Sequence, residues 1–229
     1  MHWDDMAVAP LNKFLTIAVP VAPGEQTVYT TPVGVSAIVL YAQVSNVAGI
    51  TTYPTVTFTH RRKSTASKTA GNTRNNRIIK SAPIFPNDSL VIIDGRLVLE
   101  RSALISDSIV ISGTQSGIVT VTDCKYTNTT GVTTVTTLTA HNFNVGDEVT
   151  MSGLAFTCAP NSGVTTTIFP SPQQSFTVSS IVGSVGVSKT FVTNSGIVVG
   201  IAHTYVSGGL VAPLQMEFVC SILENNVAV

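Results

Sequence analysis

Charge is what this sequence has least of. Only 10% of its 229 residues are Asp, Glu, Lys or Arg, where an ordinary globular chain carries about 25%. The 12 bases and 12 acids cancel, so the molecule as a whole does not advertise a polyanionic partner. Cysteine is scarce too, with three residues. Cys124, Cys158 and Cys220 are odd in number, far apart and free of any CxxC pair, which excludes a disulfide framework or zinc ribbon and points to free thiols in a reducing compartment. No stretch approaches the ~18 apolar residues of a membrane span, so no membrane partner is expected. The opening Met1–Pro10 has neither a basic n-region nor an apolar h-region. No secretory signal is expected from it, and the sequons at Asn87 and Asn128 read as chance. Helical periodicity is missing too, because Thr, Val and Gly interrupt every candidate run.

What is present is apolar and β-branched. Hydrophobic residues make up 44% of the chain and its mean hydropathy is +0.37. Val, Thr, Ser, Ile and Gly dominate, a composition suited to pleated, half-buried surfaces. A surface so poor in charge would be sparingly soluble if all of it faced water, so much of it is expected to face other subunits, copies of this chain included.

Alternation and turn residues predict strands at Lys13–Val19, Gln26–Thr31, Ser36–Asn46, Thr55–His60, Arg77–Phe85, Ser89–Ile93, Arg96–Glu100 and Asp107–Ser112. Asp94-Gly95 predicts a tight hairpin turn between two of them. The texture changes near Val119. Residues 119–212 hold only five charged side chains, Asp123, Lys125, Asp147, Glu148 and Lys189, among short runs of Thr, Ser, Gly and Val. There Leu138–Asn144 predicts a strand that bends at Gly146-Asp147. After Pro213 the earlier alternation returns in Leu214–Leu223. The expected fold is all-β: an antiparallel sandwich, jelly-roll-like or immunoglobulin-like, built from 1–118 plus 213–229. A small β-sandwich or barrel module, 119–212, interrupts it in a loop where an insertion costs little closure entropy. Two consecutive domains are the alternative.

The run Thr30-Thr31-Pro32-Val33-Gly34-Val35-Ser36-Ala37-Ile38-Val39-Leu40, with Val44-Ser45-Asn46 after it, resembles the opening β domain of small virion proteins of cyanophages and other marine tailed phages. Pro83–Leu90, Ile93–Glu100 and Ser221–Glu224 are similar to later parts of the same family. The middle resembles a module found inserted in phage structural proteins, through His141–Val149, Phe156-Thr157-Cys158 and His203-Thr204-Tyr205-Val206. That family form carries a Tyr-Pro-Arg-like element after the Cys; here Ile168-Phe169-Pro170-Ser171 stands instead, so any role of that Arg is absent. The resemblance implies a non-enzymatic virion component of tail, neck, baseplate or capsid decoration. Its implied partners are other virion proteins.

The most pointed feature is His60–Lys80. It holds Arg61, Arg62, Lys63, Lys68, Arg74, Arg77 and Lys80, seven of the 12 bases, with no acid among them. Read as a long polar hairpin loop, it is an electrostatic arm toward a neighbouring subunit, a solvated loop, or a nucleic-acid contact, in that order of preference. No aromatic interleaves it and no recognition helix follows, which disfavours nucleic acid. Trp3, the only tryptophan, is either an anchor into a neighbour or a lid on its own sandwich. His141, His203 and Cys158 could meet as a metal site, or Cys158 could act as a nucleophile with His141 as base. Neither has tight ligand or dyad spacing, and structural roles are preferred. Gly183–Thr190 lacks the glycine before Lys189 and the helix that a phosphate loop requires. No cofactor is expected. Binding of a host surface glycan would need aromatic platforms, and Tyr126, Phe143, Phe156, Phe169, Phe176, Phe191 and Tyr205 stand mostly at core-like positions.

Overall fold

The computed structural model describes residues 12–48, 53–64, 72–158, 165–166, 169–198 and 201–226. Lys68 and Trp3 lie outside them. The chain opens with β1 (Asn12–Pro20), β2 (Gly24–Thr30), β3 (Val35–Asn46), β4 (Thr55–Ser64), β5 (Thr73–Pro83), β6 (Ser89–Glu100) and β7 (Ile105–Thr114). Ten short strands follow: β8 (Val119–Tyr126), β9 (Val132–Thr137), β10 (Glu148–Ser152), β11 (Ala155–Cys158), β12 (Thr165–Thr166), β13 (Ser175–Thr177), β14 (Ser180–Ile181), β15 (Thr190–Asn194), β16 (His203–Ser207) and β17 (Leu210–Pro213). The last strand is β18 (Met216–Asn226).

Two four-stranded sheets have the orders β1-β18-β3-β6 and β2-β7-β4-β5. The pairs β1 with β18, β2 with β7, β3 with β6 and β4 with β5 are all antiparallel. This is one long antiparallel ribbon, closed by the β4–β5 connection and rolled so that its paired halves fall into two facing sheets: a jelly roll. Alternation dictates the facing surfaces. Val35, Ala37, Val39, Ala42 and Val44 of β3, Ile109 and Ile111 of β7, and Met216, Phe218, Cys220 and Ile222 of β18 point inward with Val56, Phe58 and Leu99. Each such aliphatic or aromatic side chain contributes roughly 1.5–3 kcal/mol on burial. The interior is filled, with Phe58 tilted against Phe218 at a ring-centroid distance of 5.9 Å.

Between β7 and β18 the chain builds a second core from Val121, Cys124, Val135, Phe143, Val149, Met151, Leu154, Phe156, Phe176, Val178, Phe191 and Val211. The segment leaves and rejoins the roll at one end, the end that also carries the β1–β2, β3–β4 and β5–β6 connections. Ser116 and Gln215 tie its two ends together: the Ser116 N–H donates to Gln215 Oε1 at 3.1 Å, and Gln215 Nε2 donates to Ser116 Oγ at 2.7 Å. Side contacts hold it against the roll. Ser152 Oγ donates to the Pro23 carbonyl at 2.6 Å, Gln26 Nε2 to the Pro172 carbonyl at 3.1 Å, and Gln173 Nε2 to the Thr27 carbonyl at 3.0 Å.

Three local expectations are corrected. Asp94-Gly95 is no hairpin turn, because β6 runs unbroken along β3. Leu97 faces Val39 and Asp94 faces Tyr41, so the β3–β6 register shifts there, a bulge with Gly95 at φ 155°. An Asp-Gly pair serves a bulge as well as a turn, since both ask for unusual backbone. Leu138–Asn144 is not a strand. The Phe143 N–H donates to His141 Nδ1 at 3.0 Å and the Asn144 N–H to Asp147 Oδ2 at 2.8 Å, so at these two residues side chains take the place of ladder partners. The bend expected next does occur, with Gly146 at φ 95°. The third correction concerns His60–Lys80, whose described part is mostly strand: β4 reaches Ser64 and β5 begins at Thr73.

Candidate functional site

Because β4 and β5 are strands, parity decides where each basic side chain goes. Val56, Phe58, His60 and Arg62 share the inward side, and Arg61 and Lys63 the outward side. Register sets Arg62 beside Asp107 of β7, which is fully buried. Arg62 Nε and Nη2 donate to Asp107 Oδ1 and Oδ2 at 2.7 and 2.6 Å, and Nη2 also reaches Glu100 Oε2 at 3.2 Å. The Glu100 N–H donates to Asp107 Oδ2 at 3.0 Å, and His60 Nε2 lies 3.2 Å from the same oxygen. Burial pushes the Asp107 carboxyl toward its neutral form. The Arg62 fork, the Glu100 N–H and His60 outweigh it and hold the carboxyl below its usual range, while Arg62 is raised in turn by its bond to Asp107.

On the outward side, Arg61 Nη2 meets Glu25 Oε2 at 2.5 Å and Arg61 Nε donates to Asn75 Oδ1 at 2.8 Å. Arg74 pairs with Arg62 and so lies on the other side of the hairpin, where its Nε donates to Asn76 Oδ1 at 3.1 Å. Lys63, Arg74, Arg77 and Lys80 are exposed along the same hairpin. The basic run is therefore divided. Arg62 is an ion-pair partner of a buried carboxylate at the end of the roll opposite the β8–β17 segment, Arg61 is paired on the surface, Arg74 is exposed beside Arg62, and Lys63, Arg77 and Lys80 present an exposed basic surface. Sequence reasoning missed Glu25, Glu100 and Asp107 because they lie on β2, β6 and β7, brought to the run only by register. One signal existed: Asp107 shares the parity of Ile109 and Ile111, a carboxylate at a core position that must find a partner.

The second candidate set separates as well. Cys158 Sγ lies 2.6 Å from His203 Nδ1, and Phe169 stacks on the His203 ring at 3.8 Å between centroids. His141 instead stacks on Phe143 and meets the edge of Phe191. Burial raises the Cys158 thiol and lowers the His203 imidazole. Both shifts oppose the thiolate–imidazolium state that an activated cysteine needs. Cys124 and Cys220 are buried and pushed up to about 12 by that burial. No group of three His, Cys, Asp or Glu side chains placed to hold a metal occurs among the described residues. Of the module's aromatics, Phe143, Phe156, Phe176 and Phe191 are buried in its core rather than offered as a platform.

No protein-family model matches the chain, and no curated protein does. Among solved structures it is similar to that of the infectious bursal disease virus Gx strain, at 8% identity and a TM-score of 0.30, over 98% of this chain and 45% of that one. A VP2 subviral particle of the same virus gives 8% identity and a TM-score of 0.29, over 98% and 45%. Its T=1 particles give 8% and 0.28, over 98% and 43%. The chain thus spans less than half the length of these proteins, and scores this low transfer nothing from them. No helix among the described residues is long and apolar enough to cross a membrane.

Proposed function

We propose that this chain is a non-enzymatic structural component of a tailed-phage particle, making repeated subunit contacts in tail, neck or baseplate. The observation that carries the reading is a jelly roll with a filled interior whose seventh-to-eighteenth strand connection holds a second β core, on a chain only 10% charged. A roll packed with Phe58, Phe218, Met216 and Ile109 leaves its interior to packing rather than to a ligand. Its working parts are then its surfaces, and the family resemblance of Thr30–Asn46 and Pro83–Glu100 points the same way. In this reading 1–118 plus 213–229 are the host and 119–212 the guest. Lys63, Arg74, Arg77 and Lys80 supply the electrostatic contact to an acidic neighbour. A second reading, capsid decoration, is favoured by the jelly-roll order itself, which is an architecture of viral capsid domains; that support is analogy of fold.

The test is to purify particles of the phage that encodes the chain and to localise it by mass spectrometry and immunogold labelling. Labelling at the tail or neck is expected, and labelling spread over the head would select decoration. A chain found only in the lysate, never in particles, would remove the proposal.

A further inference from the structure

The outer face of the β1-β18-β3-β6 sheet is rich in apolar side chains. Register lays it out in four cross-strand rows: Phe14–Leu223–Ile38–Val98, Thr16–Ser221–Tyr41–Asp94, Ala18–Val219–Gln43–Val91 and Pro20–Glu217–Ser45–Ser89. The first row is apolar from edge to edge, and Phe14 is 73% and Val98 50% exposed. In the third row Val91 is 46% exposed. These rows carry no base, and their only acids are Asp94 and Glu217. The opposite sheet differs, presenting Arg61, Lys63 and Arg77 outward. The polar side chains at the centre of this face already have partners: the Tyr41 hydroxyl donates to Gln43 Oε1, and Gln43 Nε2 donates to Ser45 Oγ at 3.0 Å. Covering them leaves little hydrogen bonding unmet.

We infer that this face is the contact between two copies of the chain, stacked sheet on sheet about a two-fold axis parallel to the strands. The inference rests on the structural role proposed above and names one of its repeated contacts. Symmetry argues for a second copy. Such an axis sets Phe14 over the partner's Val98 and Leu223 over the partner's Ile38, a large side chain against a small one at the edge and two medium ones at the centre. It also sets Asp94 over the partner's Thr16 and Glu217 over the partner's Ser45, so neither carboxylate meets its own image. Strands about 4.8 Å apart and rows about 6.8 Å apart give a face of roughly 500 Å² per copy. Two copies cover about 1,000 Å², the lower bound of a specific interface. The area fits a dimer that forms at micromolar concentration and is strengthened by other contacts in an assembly.

The experiment uses the full chain with C158S as background, since Cys124 and Cys220 are buried. Light scattering behind size exclusion should show a dimer at tens of micromolar. F14K and V98K should each raise the dissociation constant at least tenfold, with the far-ultraviolet circular dichroism spectrum unchanged because both side chains are exposed. A mixture of F14C and V98C should give a dimer with a short bismaleimide, and either variant alone should not, because Phe14 does not face its own image. A dimer that both lysine variants leave intact overturns the inference, as does linking of F14C to itself. A monomer whose lysine variants are lost from particles assigns the face to another virion protein and also overturns it, leaving the proposed function standing. A monomer that dimerises only after removal of residues 1–11 makes the chain's own start the occupant and overturns it too. A dimer with the predicted linking that never enters particles upholds the inference and removes the proposed function instead.

Discussion

Arg62 grips the fully buried carboxylate of Asp107 by two N–H···O contacts, Nε to Oδ1 at 2.7 Å and Nη2 to Oδ2 at 2.6 Å. The two residues are 45 apart in sequence and become neighbours only because β4 and β7 pair in one register. An ion pair of this kind is asymmetric. Asp107 has nowhere to turn, whereas the Arg62 side chain is 37% exposed and can reach water.

The first prediction follows from that asymmetry. R62A leaves a buried carboxylate with only the Glu100 N–H and His60, and should cost about 3 kcal/mol, the low end for a buried pair stripped of one partner. D107N removes the trapped charge and should cost less, about 1–2 kcal/mol. Urea denaturation of the two variants checks the order, and an R62A chain as stable as D107N would contradict it.

The exposed bases should behave differently. K63S/R77S touches no described core contact and should shift stability by less than about 0.5 kcal/mol. Attachment to an acidic neighbour should weaken, because exposed charges act over a Debye length of roughly 8–10 Å and are screened by salt. Particle incorporation at low and high ionic strength measures this. Wild-type incorporation at both would mean these side chains are merely solvated.

The connection between β7 and β18 gives a third test. Joining Ile118 to Pro213 through a short Gly-Ser linker removes the second core but keeps Ser116 and Gln215, which already hold the ends together. Loop closure should change by less than about 1 kcal/mol, and the roll should still melt cooperatively. Truncation before Met216 should abolish folding. It removes a strand bonded on both sides, and with it Met216, Phe218, Cys220 and Ile222. At roughly 1.5–3 kcal/mol each, their loss rivals the roughly 5–15 kcal/mol typical of a whole domain. Thermal unfolding followed by circular dichroism distinguishes the two shortened chains; a normal melt for the truncation would mean the roll does not need its last strand.

Acid should destabilise the chain in two steps. Burial lowers the His141 and His203 imidazoles, and both Nε2 atoms are buried without a hydrogen-bond partner. The unfolded chain therefore binds protons first, at about pH 6.5. This contribution is complete above that value and is lost as pH falls below it. The depressed Asp107 carboxyl acts lower: its contribution is present above the unfolded value of about 3.9 and is lost as pH falls through the lower folded value. Melting temperatures from about pH 8 to about pH 3 should show both declines, the second only in its onset. H141N/H203N should flatten the first alone. An unchanged profile in that double variant would assign the first decline to other groups.

The sequence by itself determined the all-β class, because β-branched alternation buries a continuous apolar surface only on a pleat. It also carried most strand positions of the roll, from Lys13–Val19 to Leu214–Leu223, and the change of texture at Val119, since period and composition are local properties. Tertiary structure decided what depends on register. Asp94-Gly95 satisfies a turn and a bulge equally, and only the pairing of β3 with β6 selects the bulge. His60–Lys80 looked like a loop because its polar residues hide the alternation. Pairing with β5 and β7 makes strand of its β4 part, and distant acids then divide its charges into a core ion pair, a surface pair and an exposed edge. Likewise, Phe14, Leu223, Ile38 and Val98 are four scattered apolar residues along the chain and one row on the sheet. The physical reason is common to all three: hydrogen-bond ladders and charge pairs act between strands, over a few ångströms that sequence separation does not measure.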